Sequence, residues 1–327
     1  MTELRGGLLA LLVGLTACSS TQPPPKHPDD PPSFEQEGAA VAASSSKVQA
    51  GMDAIQAGDF ARAKAVLSEA RQEAPKDPQA AFYLGVALSS LAENDAAEAA
   101  YRAALELDPG LADAAVNLSA LLLEAGEAKE ALAVAEAGLA KTPNQPDLLQ
   151  NQALAAEELE DAPKALAAYQ KLVQVKPDDL SVRFAYAKLL VQAGRKDDAK
   201  QAIEPLAKSE DAAMVQVAAT VYGQLKEFDT CVKLLSALLD KSPTPDVYVR
   251  RGGCKHGAKD NAGAKADYEA ALKLEPKFAP AHLYLGLDYR EAGDAKRARA
   301  SLEKAVEFGQ GTPVGQRAEA ALAKLPK

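Results

Sequence analysis

The chain of 327 residues contains no tryptophan, and its aromatic residues amount to only 5%. Stretches rich in β-branched residues are few as well, so strands have little to be made from and an all-α chain is expected. Positive charge is in deficit: 37 Lys and Arg against 46 Asp and Glu leave a formal net charge of −9. No basic face stands out, which excludes a nucleic-acid partner, because such a face is needed to neutralise phosphates. The acidic surplus reads as a solubilising surface. Three histidines, His27, His256 and His282, leave little for general acid–base work. A glycine-rich phosphate loop, a nucleophile elbow and paired catalytic carboxylates are all missing. Cys254 and His256 lie close in sequence but lack the further ligands of a zinc site. The protein is therefore expected to catalyse nothing and to hold no cofactor and no metal.

What is present is a period. Pro75, Pro109, Pro143 and Pro177 are each 34 residues apart, and the residues between them recur too. Leu84-Gly85, Leu88, Ala97, Tyr101, Ala104 and Pro109 form one such set, and Leu285-Gly286, Tyr289, Gly293-Asp294, Ala298, Leu302 and Ala305 form another. This pattern resembles the tetratricopeptide repeat family, which implies a right-handed α-solenoid of helix pairs. Aligned on these marks, eight units start near Ser44, Pro78, Ala112, Pro146, Leu180, Ala212, Pro245 and Ala279. Units one to five then occupy 44–211 and units six to eight 212–312. After Thr312-Pro313, an N-cap followed by a first-turn proline, residues 313–327 supply a capping helix over Val314 to Leu325. Gln316, Arg317, Glu319 and Lys324 give that helix a polar side to shield the last unit from water.

Small residues are needed where the two helices of a unit touch, so Gly85 is expected against Ala97 and Gly286 against Ala298. Gly126, Gly194 and Gly293 fall in the turns between helices, where positive φ is cheap for glycine. Unit five departs from the pattern: Pro205 falls inside its second helix, and Asp211 stands where a proline is usual. Proline there removes a hydrogen bond, which predicts a break near 205–211 that divides the rod in two. Unit six has Cys231 in place of the usual alanine, and Gly252-Gly253 and Gly257 lower the helix propensity of unit seven.

Ahead of the repeats, Arg5 and the apolar stretch Gly6 to Thr16 read as a secretory signal over residues 1–17, too short to span a bilayer. Leu15-Thr16-Ala17-Cys18 resembles the lipobox of bacterial lipoproteins. The resemblance implies that Cys18 becomes the mature N-terminus, lipidated through its sulfur. Ser19, rather than Asp, after the cysteine resembles the outer-membrane sorting signal of enteric bacteria. Residues 18–43, with Pro23, Pro24, Pro25, Pro28, Pro31 and Pro32, are expected to form a disordered, semi-extended tether.

In the tetratricopeptide family the first helix of each unit lines the concave face. Carried onto this sequence, that gives a partner-binding groove of Phe82, Tyr83, Val86, Val116, Asn117, Asn151, Leu154, Phe184, Lys188, Arg250, Tyr284 and Arg290. Packing of these aromatics between units is the competing reading. Asp113, Glu124, Asp147, Glu157 and Glu158 make units three and four acidic, while Arg250, Arg290 and His256 make the far end basic. Asn117 and Asn151 resemble part of the carboxylate clamp of chaperone-binding members, but Ser181 and Ala185 replace its basic pair, so that function does not carry over. Cys231 and Cys254 lie in adjacent units; they either pair as a disulfide or sit as two small hydrophobes.

Together these features predict a lipid-anchored scaffold on the periplasmic face of an outer membrane. It binds envelope proteins or peptides in its groove and touches the membrane through its anchor only. Pilotins and gliding-motility proteins, which assemble secretin or motility machinery, resemble it in architecture. So do β-barrel assembly components and adaptors for peptidoglycan hydrolases. A targeting subunit of an enzyme complex is a more distant alternative. Oligomeric state is not encoded in any of these features.

Overall fold

The computed structural model describes residues 34–326, with side chains from Ser45 onward. Cys18, the signal segment, His27 and the proline-rich start of the tether lie outside the described residues. Within them the chain forms seventeen helices and no strand.

Unit one pairs α1 (Phe34–Gln56) with α2 (Phe60–Glu73), and unit two pairs α3 (Pro78–Ser90) with α4 (Asn94–Leu107). Unit three is α5 (Ala112–Glu124) and α6 (Ala128–Lys141), and unit four is α7 (Pro146–Glu158) and α8 (Ala162–Val175). Unit five is α9 (Leu180–Gln192) and α10 (Lys196–Ala207), and unit six is α11 (Ala212–Gln224) and α12 (Phe228–Lys241). Unit seven is α13 (Pro245–Gly257) and α14 (Asn261–Leu274), unit eight is α15 (Ala279–Glu291) and α16 (Ala295–Phe308), and α17 (Pro313–Leu322) closes the stack. The fold is an α-solenoid of eight helix pairs with a capping helix.

Local chemistry sets the helix boundaries. Pro78, Pro146 and Pro245 occupy first-turn positions, where a missing N–H costs nothing. Asp179 and Asp211 cap α9 and α11 by accepting hydrogen bonds from the backbone N–H groups of Ser181 and Ala213. Between the helices of every unit one residue turns through positive φ: Gly58, Ala92, Gly126, Glu160, Gly194, Lys226, Lys259 and Gly293. Four of these carry a side chain that glycine would avoid.

Within a unit, the close approach is governed by a spacing of sixteen residues. A Cβ on Gly51 would meet Leu67, one on Gly85 would meet Tyr101, one on Gly252 Tyr268, and one on Gly286 Leu302, each within 2.4–2.6 Å. The expected partners Ala97 and Ala298 are buried, but the space that the glycines leave is filled by Tyr101 and Leu302. A side chain that large fills the interface better than an alanine, and a small residue opposite makes room for it: glycine in these four units, and Ala153 opposite Tyr169 in unit four. Where the first helix carries more bulk, the second carries less: Ser119 stands opposite Ala135 in unit three, and both are fully buried.

Two expectations are corrected here. Helix α1 begins at Phe34, inside the stretch read as tether, because the prolines end at Pro32 and the next residues are mainly Glu and Ala, strong helix formers. No break occurs at Pro205. The residue sits in the last turn of α10, which ends two residues earlier than α8 or α12 would by length, and a proline there forfeits few hydrogen bonds. One apolar cluster runs uninterrupted across the site, through Tyr169, Leu190, Ile203, Leu206, Ala218 and Leu235. The shortened helix leaves a notch of about 260 Å³ between Ala207, Val215, Leu234 and Leu238.

The core does divide elsewhere. The central cluster ends at Val247, and a second one starts at Val249. At this junction the Asp267 carboxylate, almost wholly buried, accepts two hydrogen bonds from Arg251 at 2.9 and 2.7 Å and pairs with Lys255 at 2.9 Å. Arg251 also donates to Ser236 Oγ on α12 at 3.0 Å.

Candidate functional site

The first helices of consecutive units share one surface, and the residues predicted for the groove divide between that surface and the interior. Tyr83, Val86, Val116 and Asn117 are half-buried on α3 and α5, and Leu154, Phe184 and Lys188 are exposed on α7 and α9. Leu154 and Phe184 are each 38% exposed, two of six exposed large hydrophobic side chains among the described residues. Val86, Asn117 and Glu124 line a shallow recess of about 210 Å³ between α3 and α5.

Two predicted groove residues belong to the core instead. Phe82 is 7% exposed, its ring 4.9 Å from that of Tyr83 and 6.1 Å from that of Tyr101. Asn151 is 9% exposed; its Nδ2 donates to the Val116 carbonyl at 3.1 Å and to Ser119 Oγ at 2.8 Å. It ties unit four to unit three. A buried amide without those partners would cost about 1–3 kcal/mol, which accounts for its placement. The second Asn of the clamp-like pair, Asn117, donates weakly to the Tyr101 hydroxyl at 3.4 Å.

Charge on this surface is largely paired. Glu157 accepts from the Tyr169 hydroxyl at 2.7 Å and lies 3.7 Å from Lys188. Burial, then the bond to Glu157, raises the Tyr169 phenol well above its ordinary range, so it stays a donor. Arg250 pairs with Asp246 at 2.6 Å and donates to Thr220 at 3.3 Å, linking units seven and six. His256 lies 3.2 Å from Asp288 and 3.6 Å from Glu291 on α15, and burial raises the Asp288 carboxyl.

The surface ends in a cavity of about 480 Å³, within the size range of small-ligand sites. Thr220, Gly223, Arg250, Gly253, Leu283, Tyr284 and Arg317 line it, with Cys231 and Cys254 at its wall. A disulfide joins these two cysteines, their Cα atoms 6.2 Å apart. Arg317, read from the sequence as part of the polar side of the cap, is exposed as expected and also stands over the Tyr284 ring at 5.7 Å. Gly253 was read only as a weak helix former and Gly223 was not singled out, yet both line this cavity, where an absent side chain opens space. A glycine at those register positions was the available signal.

Arg290 is half-buried and does not line the cavity. Among the described residues no cluster of three or more His, Cys, Asp or Glu is arranged to hold a metal ion, and no helix is long and apolar enough to cross a membrane.

Residues 46–212 match a tetratricopeptide repeat family model, and residues 257–313 match a second one. The chain belongs to the tetratricopeptide repeat family. Cellulose synthase operon protein C of Pseudomonas fluorescens (strain SBW25) is 31% identical over 173 residues, which is 50% of this chain and 13% of that protein. Its namesake from Xanthomonas axonopodis pv. citri (strain 306) is 34% identical over 157 residues, 46% of this chain and 10% of that protein. The chain thus spans about a tenth of the length of these relatives. A solved structure described as a functional characterisation of Pseudomonas aeruginosa pilF aligns with a TM-score of 0.50 at 22% identity, covering 63% of this chain and 94% of that one. That likeness is one of fold.

Proposed function

We propose that this protein is a lipid-anchored scaffold of a bacterial cell envelope that holds an extended segment of another envelope protein along its first helices. In this reading it serves the assembly of a secretin, pilus or gliding-motility complex at the outer membrane. It acts by positioning its partner.

The observation that carries the reading is the shared surface itself. Tyr83, Val86, Val116, Leu154 and Phe184 offer apolar contacts through units two to five and Tyr284 offers one in unit eight, with Lys188 and Arg250 between them. An extended chain suits such a line of small contacts, with the aromatics as anchors. The anchor half of the reading rests on the lipobox-like Leu15–Cys18 segment. An acyl chain contributes about 0.8 kcal/mol per buried methylene, so two chains hold a protein at a bilayer without a spanning helix. The Cys231–Cys254 disulfide suits an exported protein.

Two experiments test the two halves separately. Mass spectrometry of the mature protein is expected to show an acylated N-terminus at Cys18 that Cys18→Ala abolishes; an unacylated wild-type chain overturns the anchor. Recovery of partners from detergent-solubilised envelopes is expected to drop when Leu154 and Phe184 are both replaced by Ala with helicity unchanged. Equal recovery by this variant overturns the groove.

A further inference from the structure

The disulfide has a setting that a purely structural bond does not need. It lies at the wall of the 480 Å³ cavity, and both of its cysteines line that space. Two glycines beside it keep the approach open. A Cβ on Gly223 would lie 3.6 Å from Cys254 Sγ and 3.9 Å from Cys231 Sγ, so any side chain there would cover the sulfurs; a Cβ on Gly253 would meet nothing within 4 Å. The two cysteines are unequal. Cys231 is 1% exposed, whereas Cys254 is only half-buried. Of the two arginines in the cavity, Arg250 is neutralised by Asp246 at 2.6 Å. Arg317 is bonded to no carboxylate among the described residues and stands over Tyr284.

We propose that the Cys231–Cys254 disulfide is a thiol-exchange site, entered through this cavity by small thiols that carry carboxylates. Arg317 attracts the carboxylate, and the thiolate of the entering molecule attacks Cys254 Sγ. Its electron pair forms the new sulfur–sulfur bond, the Cys254–Cys231 bond breaks, and its pair departs on Cys231 Sγ, which takes a proton from water. The product is a mixed disulfide at Cys254 and a free Cys231. A second thiol, or Cys231 itself, reverses or completes the exchange. Cys231 lies one turn into α12, near the positive end of the helix, which favours it as the leaving thiolate. The inference is independent of the partner-binding reading, because it concerns the sulfurs and not the groove above them.

The test uses the folded full-length protein and reduced glutathione as the probe. Reaction is quenched with acid and the adduct mapped by mass spectrometry, with cysteamine, a cationic thiol, as the comparison. Rates are corrected for the thiolate fraction of each reagent. A glutathione adduct on Cys254 is expected, formed about fivefold or more faster than the cysteamine adduct, a preference of the size one charge contact gives. Arg317→Gln is expected to abolish the preference. Gly223→Val is expected to slow both reagents about tenfold by covering the sulfurs, while in denaturant the variant and wild type react alike. Circular dichroism confirms that both variants are folded. Reaction of the wild type only after unfolding, an adduct on Cys231, or equal rates for the two thiols each overturn the proposal.

Discussion

Where unit four meets unit five, Leu172, Val182, Tyr186 and Leu190 are buried in a single apolar cluster. Where unit six meets unit seven, the apolar cluster ends on Val247, and directional bonds are added to it: the Cys231–Cys254 disulfide and the bond from Arg251 to Ser236, with Arg251 held inside unit seven by Asp267. Both junctions stack the same helix pair, so the repeat does not dictate how one unit holds the next. In the apolar junction the stabilisation is non-directional and tolerates small shifts. In the polar one it depends on particular bonds, and removing one partner leaves a charge or a loop without its constraint. A stack of this kind is stabilised by nearest-neighbour terms, so the two junctions are expected to fail separately.

The sharpest way to break this comparison is Asp267→Ala. It strands Arg251 and Lys255 at a half-buried site and is expected to lower stability by about 3 kcal/mol, read from denaturant unfolding. Cys231→Ser is expected to cost about 2–4 kcal/mol, with amide-exchange protection lost in α12 and α13 and retained in α3 to α8. On the other side of the comparison, Asn151→Ala removes the one side-chain tie between units three and four described above, for about 1–2 kcal/mol, and should loosen α5 and α7 alone.

A pH titration separates the regions further. Burial lowers the pKa of His282, whose Nε2–H donates to the Pro276 carbonyl at 2.9 Å. Its neutral form is favoured in the folded state, so this contribution is present above about pH 6.5 and is lost as pH falls towards the depressed folded value. The unfolding midpoint of units seven and eight should therefore fall between about pH 7 and pH 5, and His282→Gln should remove that slope. The smallest expected effect is a gain. Glu160 turns at φ 55°, and Glu160→Gly is expected to stabilise unit four by about 0.5–1 kcal/mol in thermal unfolding.

Helix starts were legible because they are written in local chemistry: first-turn prolines at Pro78, Pro146 and Pro245 act within a few residues, whereas Asp211, read as a departure from the pattern, caps α11. The consequence of Pro205 was not legible, since its cost depends on whether a helix continues past it, and α10 stops two residues later. The site was half legible. Register positions named Tyr83, Phe184 and Tyr284, which stay partly or fully exposed, together with Phe82 and Asn151, which are buried because of the neighbours they pack against. Arg317 was missed because it comes from the last helix, outside the repeat register.

The sixteen-residue pairing of Gly51 with Leu67, Gly85 with Tyr101, Gly252 with Tyr268 and Gly286 with Leu302 bears on how such a chain can be rearranged. Lock and key are inherited together only when a unit moves whole. A recombination joint in the turn after α3 would set Gly85 against a foreign second helix, leaving a void beside an alanine, or would set Tyr101 against a foreign first helix carrying a serine, forcing a clash. A joint just before Pro78 separates no such pair. Insertions, duplications and shuffled fusions of this protein are thus expected to be tolerated at the borders between units and purged within them.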